Sequence, residues 1–143
     1  MLISIIIALS YSLINLMGKQ LSLFEKENTQ ILEYNLFNST LINDTNNSTK
    51  FTFDNEHLKL EFYDNSSIGY RIKNNIILRD MANKTDTFKI NVVSHSFKQK
   101  SENKYSKDFL HLQLVLLKDT INVNYRLKSN TAESINKQLF NED

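Results

Sequence analysis

The sequence predicts an α+β fold, in which a long N-terminal helix packs on an antiparallel β-sheet meander. Three observations predict it. The first 18 residues carry no charge, whereas all 17 Lys and Arg and all 16 Asp and Glu lie beyond them. The apolar residues recur at helical spacing as far as about Asn43 and alternate after it. Proline is absent and glycine occurs only twice, so no proline interrupts the helical pattern before Asn43.

The opening run, MLISIIIALSYSLINLMG, is apolar or aromatic except at Ser4, Ser10, Ser12, Asn15 and Gly18. As a helix it would reach about 27 Å, slightly short of a hydrocarbon layer of roughly 30 Å. Three readings compete for it. A cleaved signal peptide would want a basic n-region and a small-x-small cleavage site, and neither is clear. A core helix of a soluble protein is the second reading. A membrane anchor is the third and is preferred, because the helical pattern continues past Gly18. Leu2, Ile6, Leu9, Leu13 and Leu16 are then the membrane and assembly face.

From Lys19 to Asn43 the pattern becomes one-sided. Leu23, Phe24, Ile31, Tyr34, Phe37 and Leu41 share a broad face expected to pack on the sheet, with Lys19, Glu25, Lys26 and Glu33 opposite. Glu27 is the misfit inside the apolar sector, tolerable only if exposed or paired with a basic group. The segment 43–50, NDTNNSTK, is rich in side chains that compete for backbone hydrogen bonds and is expected to end the helix.

Beyond it the strands follow in order. A short one is expected at 51–53, and 57–63 alternates through Leu58, Leu60 and Phe62. After the turn composition Asp64-Asn65-Ser66 come Ile68, Tyr70 and Ile72, and after Asn74-Asn75 the run 76–79. Phe88, Ile90 and Val92 mark a single strand over 86–94. Leu110, Leu112, Leu114 and Leu116 mark another, and after Lys118-Asp119 Ile121, Val123, Tyr125 and Leu127 a last one. The unpatterned stretch 98–108 reads as a surface loop, and 132–140 as a short helix in the tail. One sheet over the second half of the helix would satisfy both patterns. The chain therefore divides into 1–18, a transmembrane half-helix; 19–43, its amphipathic continuation; 44–130, the sheet domain; and 131–143, a polar tail.

Chemistry-bearing motifs are sparse. With no Cys, disulfides and thiolate metal sites are excluded, and a net charge of +1 excludes recruiting nucleic acid by bulk charge. His57, His95 and His111 lack metal-ligand spacing and read as surface residues. Glu56 beside His57, and Glu61 with Asp64, are acidic groups without an evident shared pocket. Lys98, Lys100, Lys104 and Lys107 around Tyr105 form the densest basic stretch, diluted by Glu102 and Asp108, so it reads as a solvated loop and not a nucleic-acid contact. Triplets such as Asn38-Ser39-Thr40, Asn47-Ser48-Thr49, Asn65-Ser66-Ser67 and Asn83-Lys84-Thr85 are expected by chance in so asparagine-rich a chain. No cofactor and no catalytic set are expected.

Taken together, the run Leu2–Leu16, the helix continuing through Phe24-Glu25-Lys26, the segment Tyr34–Asp44 (YNLFNSTLIND) and the meander that follows resemble the prepilin-like family. The likeness is to minor pilins and type II secretion pseudopilins of the kind seen in Bacteroidetes and flavobacteria. Family precursors carry a short basic leader, a Gly at the cleavage point, an aromatic start to the mature chain and a Glu a few residues further on. These are missing ahead of Leu2, and the expectation is a start upstream of Met1.

What the resemblance implies is a pilin-like fold and a non-enzymatic structural subunit of a type II secretion or type IV pilus-like assembly. Its partners would be the membrane and other pilin or pseudopilin subunits, with a prepilin peptidase only if an upstream leader exists. It would sit in the cell inner membrane as a single-pass protein, with its C-terminal domain periplasmic or extracellular. Two alternatives stay open: a single-pass anchored periplasmic binding domain outside any filament, and a soluble antiparallel-sheet enzyme with a cleaved leader.

Overall fold

The computed structural model describes residues 2–54, 56–102 and 105–127. These residues are α+β: among them one helix, α1 (Leu2–Asn47), precedes eight strands in two antiparallel sheets. Strands β1 (Lys50–Asp54), β2 (His57–Glu61), β3 (Ser67–Ile72), β4 (Ile77–Met81) and β5 (Lys84–Phe88) form one sheet in sequential order. Strands β6 (Asn91–Glu102), β7 (Tyr105–Leu116) and β8 (Asp119–Leu127) form the other. Each strand pairs with its sequence neighbour within its sheet, as short connections between antiparallel strands dictate.

The helix outlasts its expected end. Asn43–Asn47 remain helical because Asp44 is held by the sheet, while Thr45 and Asn47 bond back within the helix alongside its backbone ladder. The Thr45 hydroxyl donates to the carbonyls of Leu41 (2.8 Å) and Ile42 (3.1 Å), and Asn47 Nδ2 donates to Asn43 Oδ1 (3.2 Å). The chain leaves the helix at Thr49, whose backbone N–H and hydroxyl both donate to the Glu61 carbonyl at 2.8 and 3.0 Å.

Two sheets replace the expected one. The strand expected over 86–94 divides at Lys89-Ile90, where the chain passes from the first sheet to the second. Val92 N donates to Asn74 O at 2.7 Å across the junction. Phe88, Ile90 and Val92 are all buried, so their alternation runs straight through the break and hides it. The expected loop 98–108 is also corrected. Its backbone is paired from Lys98↔Phe109 to Glu102↔Tyr105, with residues 103–104 between. Among the described residues the third strand pairs as far as Asp108↔Leu127, so the rest of this ribbon is a two-stranded pairing there, made by backbone hydrogen bonds that need no apolar alternation. The tail 131–143, with the helix expected over 132–140, lies outside the described residues.

Turn chemistry closes the hairpins. Between β2 and β3, Asp64 Oδ1 accepts from the Ser66 N–H (2.9 Å) and hydroxyl (2.6 Å), while Asn65 takes φ 61°. Between β7 and β8, Leu117 (φ 52°) and Lys118 (φ 75°) both lie in the left-handed region, the pattern of a type I′ turn. Along β6 the register shifts between Val92 and Ser94, and Val93 is turned outward there, 54% exposed.

One core joins all three parts. Leu58, Leu60, Tyr70, Ile72 and Ile77 come from the first sheet, Leu110, Leu112, Leu114 and Tyr125 from the second, and Phe37 and Leu41 from α1. Phe37 stands between the sheets, edge-on to Phe88 (centroids 5.5 Å, 63°) and to Tyr125 (6.0 Å, 79°).

Candidate membrane-anchoring helix and its buried base

The described residues divide α1 into a projecting length and a seated length. Every residue from Leu2 to Leu32 is exposed, including the expected membrane face, Leu2, Ile6, Leu9, Leu13 and Leu16. The helix is long and apolar enough to cross a membrane, and none of that apolar window is buried against the rest of the chain. The carboxylate that interrupted the stripe, Glu27, is exposed as well, so no desolvation cost attaches to it.

The face expected to pack on the sheet is shorter than its sequence pattern. Phe37 and Leu41 are buried in the core, and Tyr34 packs against it. Leu23 and Phe24 are 56% and 61% exposed and do not touch the sheets, and Ile31 is 36% exposed at the margin. The reason is reach: the sheets meet α1 only along its last turns, while its hydropathy pattern continues beyond them towards the N-terminus.

Polar ties fix the seated length. Glu33 Oε2 accepts from the Lys89 backbone N–H at 3.2 Å, and Asn38 Oδ1 accepts from the Tyr125 hydroxyl at 2.9 Å. The third tie is the strongest. Asp44, in the last turns of α1, has a side chain only 6% exposed, yet it carries a carboxylate at the helix end where the macrodipole disfavours anions. Arg79 answers it bidentately, Nε to Oδ2 at 2.7 Å and Nη2 to Oδ1 at 3.1 Å, and the Tyr70 hydroxyl donates to Oδ2 at 2.6 Å. Arg79 Nη1 reaches Asp86 at 3.2 Å, which in turn holds Lys84 at 2.7 Å. Strands β3 and β4 thus converge on one helical carboxylate, with β5 holding the arginine from behind, and among the described residues no buried side-chain polar atom lacks a partner.

The electrostatics follow from this geometry. Burial pushes the Tyr70 phenol well above its ordinary value, and the hydrogen bond to Asp44 adds to the shift. Hydrogen bonding to Asp44 raises Arg79 further still. Asp86 is lowered, first by its hydrogen bond to Lys84. On the outer face of the five-stranded sheet Arg71 grips Asp80 bidentately at 2.6 and 3.0 Å, which lowers Asp80. Such exposed pairs contribute little to stability.

The Asp44 cluster was not evident from motifs, although one signal pointed to it. Ile77 and Arg79 stand two residues apart on one strand and therefore face the same way. An arginine on the core face requires a buried carboxylate. His57 lies over Gly69, where a Cβ would come within 2.7 Å of Nε2, and His111 Nδ1 lies 2.7 Å from Asn124 Oδ1. Among the described residues no group of three or more His, Cys, Asp or Glu is placed to hold a metal ion.

No family model matches the chain, and no characterised protein or solved structure matches it significantly.

Proposed function

We propose that this chain is a non-enzymatic structural subunit, a minor pilin- or pseudopilin-like component of a type II secretion or type IV pilus-like assembly. In this reading the first half of α1 lies in the inner membrane and the two sheets stand on its outer side. One observation carries the reading. Apolar side chains stay exposed on α1 after the charged residues begin: Leu21, Leu23, Phe24 and Leu32 follow Lys19. A bilayer anchor accounts for Leu21 at the end of a roughly 30 Å span but gives no reason for apolar side chains as far along as Leu32, well past the uncharged run that ends at Gly18. Packing among like helices does, since a helix surrounded by neighbouring subunits is covered on several sides, and Leu23 and Leu32 stand about 180° apart at 100° per residue.

The test separates anchoring from assembly in the full chain. Envelopes are extracted in mild detergent, and the chain is followed by sedimentation and electron microscopy, with Phe24→Asp compared to the unaltered protein. The expected result is that Phe24→Asp stays in the membrane fraction but leaves the high-mass assembly. If the unaltered chain is found only as a monomer, or Phe24→Asp assembles normally, the chain is a single-pass anchored domain outside any filament.

A further inference from the structure

We propose that the buried Asp44–Arg79–Tyr70 cluster is an orientation lock: it fixes the rotational register of α1 on the sheets, and so the direction in which the projecting length presents its faces. The apolar part of the seat, Phe37 and Leu41, settles which side of α1 meets the sheets, but contacts of this kind tolerate small turns and tilts of the helix. Hydrogen bonds are directional. Asp44 receives two from Arg79 on β4 and one from Tyr70 on β3, and a turn of the helix by one residue, about 100°, would leave a buried arginine and carboxylate unpaired.

The leverage is large. Residues 2–32 extend about 46 Å beyond the seat at 1.5 Å per residue, so a tilt of about 10° at the base moves the tip by about 8 Å. The Asn38–Tyr125 tie, which Tyr34 joins, lies on the other sheet and the Glu33–Lys89 tie at the crossover between the sheets, and neither is an ion pair between side chains. The bidentate cluster is the one of these three ties that pairs two charged side chains through two bonds, so it holds the rotation of α1 most narrowly. Buried ion pairs are often replaceable by apolar groups without loss of stability, and specification is one use for which they are retained. This lock holds whatever the projecting length contacts, and its test does not depend on a filament.

The experiment is a distance measurement by pulsed electron paramagnetic resonance on the full chain in lipid nanodiscs. The sequence has no cysteine, so Ser22→Cys on the projecting helix and Thr87→Cys on the first sheet give two unique label sites, both exposed. The parent pair is compared with one carrying Asp44→Leu, Tyr70→Phe and Arg79→Met, which removes the whole cluster and strands no partner within it. The lock predicts a narrow parent distribution that broadens by about 5 Å or more, the scale of one helical turn, while the melting temperature is kept. An unchanged width in the folded triple variant overturns it. If the triple variant does not fold, Asp44→Ser with Arg79→Leu is read the same way, and loss of fold in both overturns the proposal in favour of a pure stability role.

Discussion

Between Leu2 and Leu32 α1 holds leucine, isoleucine and phenylalanine side chains exposed, whereas Phe37 and Leu41, of the same chemistry on the same helix, are 1% and 0% exposed. Side-chain chemistry at these positions does not distinguish the two lengths. The sheets do, because they meet only the last turns, where β5 and β8 close around Phe37. The seated length draws its stability from this chain's own core. The projecting length keeps its apolar side chains uncovered by the described residues, which is the physical basis for proposing it as anchor and assembly surface.

The comparison breaks most sharply at the cluster. Arg79→Met leaves Asp44 buried without its cation and should cost about 3–5 kcal/mol of fold stability, read by urea unfolding. A loss under about 1 kcal/mol, the value of an exposed pair, would show that water reaches Asp44. A matched pair on the two lengths sharpens the contrast. Phe37→Ala should cost about 3–5 kcal/mol, whereas Ile31→Ala, 36% exposed, should fall well below the 2–5 kcal/mol of a buried isoleucine. On the projecting length Leu9→Asp should leave unfolding of the sheets unchanged. Its cost of about 2.5–3.5 kcal/mol at a membrane centre should appear only as reduced retention in washed membranes.

Alkali probes the seat through its buried phenol. The unfolded phenol ionises near 10.0, but Tyr70 stays protonated in the fold, since burial and the Asp44 carboxylate both raise it. Its stabilising share is therefore complete below pH 10 and is lost as pH rises from there towards its raised value, at about 1.4 kcal/mol per pH unit. Tyrosinate absorbance should show a delayed fraction that rises together with loss of the far-ultraviolet signal, and Tyr70→Phe should flatten that slope. The smallest effect is a gain. Leu117→Asn with Lys118→Gly suits the left-handed turn and should add about 0.5–1 kcal/mol to the seated domain, seen as a higher melting temperature.

These contrasts also mark what could be read from the chain. The helix and the alternation of Leu58-Leu60, Tyr70-Ile72 and Leu110-Leu112-Leu114 were legible, because one face of each is buried. The passage between sheets at Lys89-Ile90 was not, since Phe88, Ile90 and Val92 keep an inward alternation through it. Nor was the paired ribbon around 98–108, where the third strand stops and apolar alternation with it. Leu23 and Phe24 misled because a stripe records that a helix face wants covering and is silent on what covers it. The cluster was half legible: Arg79 shares the inward face of Ile77, but Asp44 stood in a segment whose composition reads as a helix stop.

The most direct measurement is thermal unfolding of residues 19–143 beside the full chain in the same detergent. If the first eighteen residues belong to no core of this chain, the fragment is soluble, unfolds cooperatively and melts within a few degrees of the parent. A fragment that is unfolded or melts far lower would place those residues in the chain's own core and contradict the division of α1 into projecting and seated lengths.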